Sequence, residues 1–438
     1  MAAVSESLPE QKRWYHSLAE KWDDWFSDIP MLAWLVGGLL SVILEYFVGS
    51  PFARMLGMPK APVLFGFDIA LKTPILIPSA LLYDIIIYVL PILIVARAIG
   101  NVSNRIAQWL MDKSIVLATL VHIVLLYAVL QVWGDLSDYR VLVLKLTLIA
   151  IIGTLSLNVI NGYMGEFSCS QPGFIALGAY AASVLSIILF VNNDLFGSLN
   201  LPASLAPFLF PFILILSGLI SAVGALLVAV PSFRTRGDYL AIISLAFTFI
   251  VKSLLENLEV FGGPRGLSGQ PDLSSLPVVF AWTMISIWII NNYVTSTFGK
   301  TMNAVRDGEM AANAMSIDTR KTKMVTFLFA AFWAGVSGGL LAHVLRYVNP
   351  SSFGIQKLAE VLGMVYFGGL NSVVGSIVGA VGMNILSEAL RPLEIYKWII
   401  IPIMIILIMI YRPTGLIAFR EFNVKNLIRP KQKKGPEA

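Results

Sequence analysis

Charge is scarce in this chain. Asp, Glu, Lys and Arg make up 13% of its 438 residues, where a soluble domain carries about 25%. Apolar residues reach 57% and the mean hydropathy is +0.79. With the deficit spread along the whole length, a soluble enzyme or binding domain is excluded and a multi-pass membrane protein is indicated. Cysteine is nearly missing: Cys169 stands alone, so no disulfide can form within the chain. The three histidines, His16, His122 and His343, are scattered and give no metal-ligand spacing, so no metal site is expected. A formal net charge of +5 is too small to imply nucleic acid. A phosphate-binding loop is also lacking. Phe298-Gly299-Lys300-Thr301 ends like one, but Val294 stands where the first glycine belongs and an apolar helix, not a strand, precedes it. The chain is therefore expected to be no enzyme and to hold no cofactor.

What is present is a series of apolar runs of about 20 residues, the length a hydrocarbon core demands. They lie near 31–49, 75–96, 114–133, 141–161, 173–193, 205–230, 238–255, 277–295, 324–345 and 394–411. The region 358–388 differs. Gly363, Gly368, Gly369, Gly375, Gly379 and Gly382 stud it, and Asn371 and Ser372 interrupt it. It reads as two short helices around a break, tolerated in a membrane only when buried in protein. The predicted fold is all-α and polytopic, with about ten spans plus this glycine-broken, re-entrant or short-helix hairpin. The first oily run begins near Pro30, behind a charged and aromatic lead, and is long enough to span rather than be a cleaved leader. Within residues 1–28, Trp14, Leu18, Trp22, Trp25 and Phe26 recur at helical spacing beside Lys12, Arg13 and Lys21, the pattern of an amphipathic interfacial segment. Residues 29–135 then form an extension with about three spans, 136–418 the core, and 419–438 a basic tail.

Basic residues near span ends set orientation. Arg97, Arg105 and Lys113 mark 97–113 as cytoplasmic; Arg234 and Arg236 mark 231–237; Lys300, Arg306, Arg320, Lys321 and Lys323 mark 299–323; seven lysines and arginines from Arg412 to Lys434 mark the C-terminus. Even numbers of crossings separate these segments, provided the hairpin contributes none or two. The C-terminus is therefore expected on the cytoplasmic side.

The stretch 299–323, GKTMNAVRDGEMAANAMSIDTRKTK, is polar and basic inside an oily chain. Asp307 is a plausible N-cap for a short helix over 308–315, with Met310, Ala311, Ala314 and Met315 on one side, Arg306 and Asn313 left wet, and Asp318 capping the next span. A short helix with a small, Met-bearing face suits a groove on another protein. Arg320, Lys321 and Lys323 read as positive-inside anchors. Among charged residues inside spans, Asp84, Lys145, Glu166, Lys252, Glu256, Glu360 and Glu388 are functional candidates by default; Lys252 is placed to snorkel at a span end. Gly375 and Gly379, four apart, permit close helix packing.

Several segments carry a specific resemblance. NVINGYMGEFSCSQPGFIALGAY (158–180), RTRGDYLAI (234–242), GGPRGLSGQP (262–271), the Ala-x-Arg-Asp-x-Glu-x-Ala pattern within 304–317, NPSSF (349–353), GGLNS (368–372) and YRPTGL (411–416) resemble, in order and spacing, the motifs of branched-chain amino acid ABC transporter permeases of the M type, LivM-like. The match covers about 140–418. Ser170 and Ser316 stand where that family tends to have glycine, and Cys169 and Pro172-Gly173 are unusual for the first motif.

The resemblance implies an importer subunit of the bacterial cytoplasmic (inner) membrane. It implies pairing with an H-type permease, two ATP-binding subunits that hold ATP and magnesium, and a periplasmic or lipid-anchored solute-binding protein. Arg306, Asp307, Glu309, Met310, Ala311, Ala312, Met315 and Ser316 would form the ATPase-coupling contact. Arg234, Arg236 and Asp238 would offer a second cytoplasmic contact. Asn158, Asn161, Gly165, Glu166, Ser168, Gly368, Gly369, Asn371 and Ser372 become candidates for the translocation path. Branched-chain amino acids are the default solute; urea, amides, other amino acids or aromatic acids are the alternatives. A secondary transporter would instead show inverted repeats with ion-binding residues at broken helices, and a channel would conduct without ATP.

Overall fold

The computed structural model describes residues 29–58, 62, 73–191, 201–233, 239–412, 414–419 and 421–429. The interfacial segment expected in 1–28, and Arg234, Arg236 and Asp238, lie outside the described residues. Among those described, nine helices are long and apolar enough to cross a membrane. The chain divides into two units, one comprising residues 1–136 and 423–438, the other 137–422.

In the first unit, α1 (Met31–Met55) packs against a long helix. The latter begins as α2 (Ile77–Asp84), widens into a π-helical turn (Ile85–Val89) and continues as α3 (Leu90–Lys113); α4 (Ile115–Gly134) follows. The π turn displaces carbonyls from the regular ladder, and Ser41 Oγ donates to Ile87 O at 2.7 Å. Gly37 lets α1 approach the Ile92 carbonyl, which an added Cβ would meet at 3.0 Å. Glu45, 2% exposed, accepts from the hydroxyls of Tyr83 and Tyr88. Ser114 caps α4 by accepting from Val116 N. The short α16 (Val424–Ile428) places Ile428 with Leu110 and Ala118. Residues 97–113, beyond the apolar run, are helical. Ala96, Gly100, Ser103, Ala107 and Leu110 recur at three- and four-residue spacing and are the buried stripe, so amphipathicity carries the helix past the end of the apolar run.

The second unit is built on α12 (Thr319–Leu345), buried along most of its length. Against it pack α5 (Asp138–Asn158), α6 (Gln171–Phe190) and α7 (Ala206–Ser232); α8 (Tyr239–Asn257) lies on α6 and α7, and α9 (Leu276–Thr295) on α5. Hydrocarbon gives helices no hydrophobic reason to associate, so close packing of small residues and polar contacts must serve. A Cβ on Gly178 would strike the Gly335 backbone, and one on Gly338 would strike the Ile175 carbonyl. Ser221 Oγ donates to Phe174 O at 2.9 Å. The hairpin is present as α13 (Ile355–Gly368) and α14 (Val373–Ala389), both short of a full span. Gly379 faces the Met364 carbonyl and Gly368 the Gly375 carbonyl with no room for a side chain, so Gly375 and Gly379 act in packing as their spacing indicates. The last apolar helix, α15 (Lys397–Tyr411), is 15 residues long.

Lys252 lies near the end of α8, 3.7 Å from Glu256. Glu388 accepts from Tyr139 Oη and pairs with Arg391 at 2.7 Å. Two two-residue strands, β1 (Leu267–Ser268) and β2 (Tyr347–Val348), pair antiparallel just beyond the C-terminal end of α12. Gly266, at φ 80, is pressed against the Val348 carbonyl there.

Candidate functional site

The other end of α12 carries the polar stretch. It forms two helices, α10 (Thr297–Asp307) and α11 (Glu309–Ala314). Ser296 caps α10 by accepting from Gly299 N at 3.2 Å. Gly299, Lys300 and Thr301 are therefore the first turn of a helix, not a phosphate-cradling loop. Asp307 is not the N-cap it was expected to be: it ends α10, and Gly308, extended at φ −178, makes the break before α11. Asp318 does cap α12, accepting from Lys321 N at 2.9 Å.

Met310 and Met315 are 80% and 78% exposed, and Ala311 and Ala314 are exposed beside them, while Ala312 is buried. The α11 helix ends in a turn closed by Ile317 N to Ala312 O at 3.1 Å and Ser316 N to Asn313 O at 3.0 Å. Ser316 takes φ 63, the left-handed position that glycine fills in this cap.

Beneath this surface lies a break in α5. Its last turn, Val159–Met164, is π-helical, and Gly165 ends it at φ 76. Single π turns concentrate where a helix must present something unusual. Here it presents the Gly162 carbonyl, to which Arg306 Nη1 donates at 3.3 Å. The Arg306 stem lies so close over Gly165 that a Cβ would collide with its Cγ. The guanidinium sits 5.8 Å from the Phe419 ring and 2.9 Å from Asp307. Arg306 was expected to stay wet; its side chain is only 21% exposed because the broken helix supplies an acceptor. Lys323 Nζ reaches Glu166 Oε1 at 2.5 Å and Glu309 Oε2 at 2.8 Å. It is thus no ordinary anchor, unlike its exposed neighbours Arg320 and Lys321.

A second clamp joins the same break to the hairpin. Asn158 Nδ2 donates to Ser372 O at 3.0 Å and Ser376 Oγ at 2.6 Å, and its Oδ1 accepts from Asn371 N at 3.2 Å. The turn it holds contains Gly369 at φ 130 and Asn371 at φ 55. On the turn's other side the chain 414–419 runs as a strap. Leu416 N bonds to Phe367 O at 3.1 Å, Ile417 N to Gly368 O at 2.8 Å and Phe419 N to Leu370 O at 3.3 Å. Asn161 Oδ1 accepts from Ser168 N at 3.2 Å and closes the loop to α6. There Cys169 bonds through its backbone to Ser244 and Thr248, and burial pushes its thiol pKa up.

The residues singled out for coupling and for the path therefore meet in one junction. Asn158, Asn161, Ser168, Gly368, Gly369 and Ser372 are buried, Asn371 is half-buried, and Glu166 is 24% exposed. Two members were missed. Lys323 looks in sequence like any basic residue at a span start. The strap was visible only as a motif, since its partners are backbone groups. Among the described residues no group of three His, Cys, Asp or Glu could hold a metal ion.

Long apolar helices, a glycine-broken hairpin and an exposed surface helix tied to a break in a core helix define a multi-pass membrane permease core. Residues 139–409 match the family described as branched-chain amino acid transport system / permease component, and the chain belongs to that family. The high-affinity branched-chain amino acid transport system permease protein LivM of Salmonella typhimurium is 30% identical, over 67% of this chain and 73% of that protein. LivH of Escherichia coli K12 is 27% identical over 32% of this chain and 45% of its own. The ribose import permease protein RbsC of Haemophilus influenzae is 24% identical over 50% and 67%. No solved structure matches the chain.

Proposed function

We propose that this chain is the M-type membrane-spanning subunit of an ABC importer that carries branched-chain amino acids across the cytoplasmic membrane. It works beside an H-type permease, two ATP-binding subunits and an external solute-binding protein. The observation that carries this reading is the double tether of the exposed α10–α11 pair to the π-helical end of α5: Arg306 to Gly162 O, and Lys323 to both Glu309 and Glu166. A partner that grips Met310 and Met315 moves α11. The tethers pass that displacement to the break in α5, and Asn158 passes it to the hairpin turn. Coupling requires a physical element whose two arrangements the partner biases, and a helix already broken and capped by glycine is such an element. Nucleotide and magnesium belong to the partner subunits, and no residue of this chain acts on them. Positive-inside placement puts the α10–α11 face and the C-terminus in the cytoplasm. The path candidates, Asn158, Asn161, Gly165, Glu166, Ser168, Gly368, Gly369, Asn371 and Ser372, work as the moving wall of the route.

The test is uptake of labelled leucine by vesicles holding this chain with the permease, ATPase and binding-protein genes that neighbour its own. Uptake should require ATP and fail when Glu309→Lys is combined with Ala312→Trp. If the ATPase subunits still co-purify with that variant and uptake is unchanged, α11 is not the docking surface.

A further inference from the structure

Away from the junction, the second unit contains a crevice of about 110 Å³ between α5, α6, α12, α13 and α14. Most of its wall is aliphatic, with Leu146 and Ile149 from α5, and Val361 and Met364 from α13. Charge enters only from α13. Lys357 and Glu360 line the crevice one turn apart, joined at 3.0 Å and 25% and 35% exposed. Asn384 of α14 also lines it, and its Nδ2 is buried without a hydrogen-bond partner.

These features point the same way. Ionisable residues in a membrane-embedded bundle are costly and mark solute sites by default. An amide donor buried without an acceptor is costly, so an occupant of the crevice has to bring the acceptor. The crevice offers one anion, one cation and one neutral donor around a greasy wall. An aliphatic α-amino acid carries one cation, one anion and a greasy side chain. The space is several times the roughly 10–15 Å³ that a single water needs, so it has room for more than a trapped water. A dicarboxylate would meet the like charge of Glu360, and an uncharged sugar would bring no charge to engage either Lys357 or Glu360.

We propose that this crevice is a resting site for a zwitterionic aliphatic amino acid, with its ammonium at Glu360, its carboxylate at Lys357 and the Asn384 amide, and its side chain against Leu146, Ile149, Val361 and Met364. The proposal rests on the amino acid permease reading and adds a site complete within a single chain. It also gives the solute a mechanical address. The helix that binds it, α13, ends at the Gly368–Ser372 turn that Asn158 holds, so the occupant and the coupling stretch act on opposite ends of one helix.

Saturation-transfer difference NMR of L-leucine with the purified full chain in nanodiscs tests this without ATP, partners or transport. Leucine methyl signals should saturate with concentration. 4-Methylpentanoate, which lacks the ammonium, and leucinamide, which lacks the carboxylate, should bind at least about tenfold more weakly, as should leucine to Glu360→Gln and Lys357→Met, because each loses a charge-assisted hydrogen bond. Val361→Phe, which fills the crevice, should abolish the signal. No leucine signal above empty nanodiscs, or signals from Glu360→Gln with leucine and from 4-methylpentanoate as strong as that of leucine with the unaltered chain, overturns the proposal. Uptake by the assembled transporter separates the two readings. Binding without ATP-driven uptake sustains the crevice and sinks the importer; uptake without binding to this chain sinks the crevice alone.

Discussion

Lys323 and Glu166 meet at 2.5 Å across 157 positions of sequence, with the lysine side chain 12% exposed and the carboxylate 24%. The same ammonium holds Glu309 at 2.8 Å. One cation therefore ties the surface helix α11 to the loop that follows the break in α5. Removing it leaves Glu166 half-buried without that partner, and removing Glu166 leaves the tether to Glu309 only.

Lys323→Met should therefore uncouple the transporter. Coupling free energies of about 1–3 kcal/mol correspond to roughly 5–150-fold, so leucine uptake per ATP hydrolysed should fall about tenfold or more while ATPase subunits still assemble. Glu166→Gln should have a smaller effect, and the exchange of Lys323→Glu with Glu166→Lys should restore part of the loss. Uptake and ATPase rates in the same proteoliposomes measure this. An unchanged ratio in Lys323→Met would show that the tether carries no displacement.

Asn158 makes its case through the backbone. Its amide serves the Ser372 carbonyl, the Ser376 hydroxyl and the Asn371 amide at once. Asn158→Ala strips all three and leaves buried polar groups unanswered, at about 1–3 kcal/mol. The expected result is a lower melting temperature and faster hydrogen exchange at the amides of Gly369 and Asn371, with little change in exchange at α12. Exchange measured by mass spectrometry on overlapping peptides checks it; uniform acceleration across the second unit would instead mean a global loss of stability.

Ser316 gives a prediction of opposite sign. A non-glycine residue in the left-handed region costs roughly 1–2 kcal/mol, less the extra freedom that glycine has when unfolded. Ser316→Gly at φ 63 should therefore stabilise the end of α11 by about 0.5–1 kcal/mol, and Ser316→Val should destabilise it by more. Thermal unfolding in detergent, with proteolysis between α11 and α12 as a local readout, distinguishes the two.

Much of this was written in the sequence. Hydrocarbon thickness fixes the length of an apolar run, so most of the spans from α1 to α12 lie within a few residues of where composition puts them, while the second continues as helix to Lys113. Clustered glycines around Asn371 and Ser372 announced the hairpin. What stayed hidden depends on partners distant in sequence. Arg320, Lys321 and Lys323 are alike as text, and only helix phase and the position of Glu166 single out the last. Arg306 reads as solvated until the π turn of α5 places the Gly162 carbonyl beside it. The α3 helix runs on beyond the apolar stretch that ends at Ala96, and only the buried stripe from Ala96 to Leu110, at helical period, marks its continuation.

Glycine supplies a last, paired prediction. A Cβ on Gly379 would be driven into the Met364 carbonyl, with the Gly368 backbone 2.9 Å away, whereas a Cβ on Gly100 meets nothing within 4 Å. Both residues sit inside helices, α14 and α3, where alanine is favoured over glycine by about 0.5–1 kcal/mol. Gly100→Ala should therefore leave folding intact and raise thermal stability slightly. Gly379→Ala must push α13 and α14 apart, because backbone cannot yield as a side chain tip does. It should lower the melting temperature and open the 369–372 turn to protease, and Gly379→Leu should prevent accumulation of the folded chain. Equal behaviour of Gly379→Ala and Gly100→Ala would mean that the hairpin does not depend on backbone contact at Gly379.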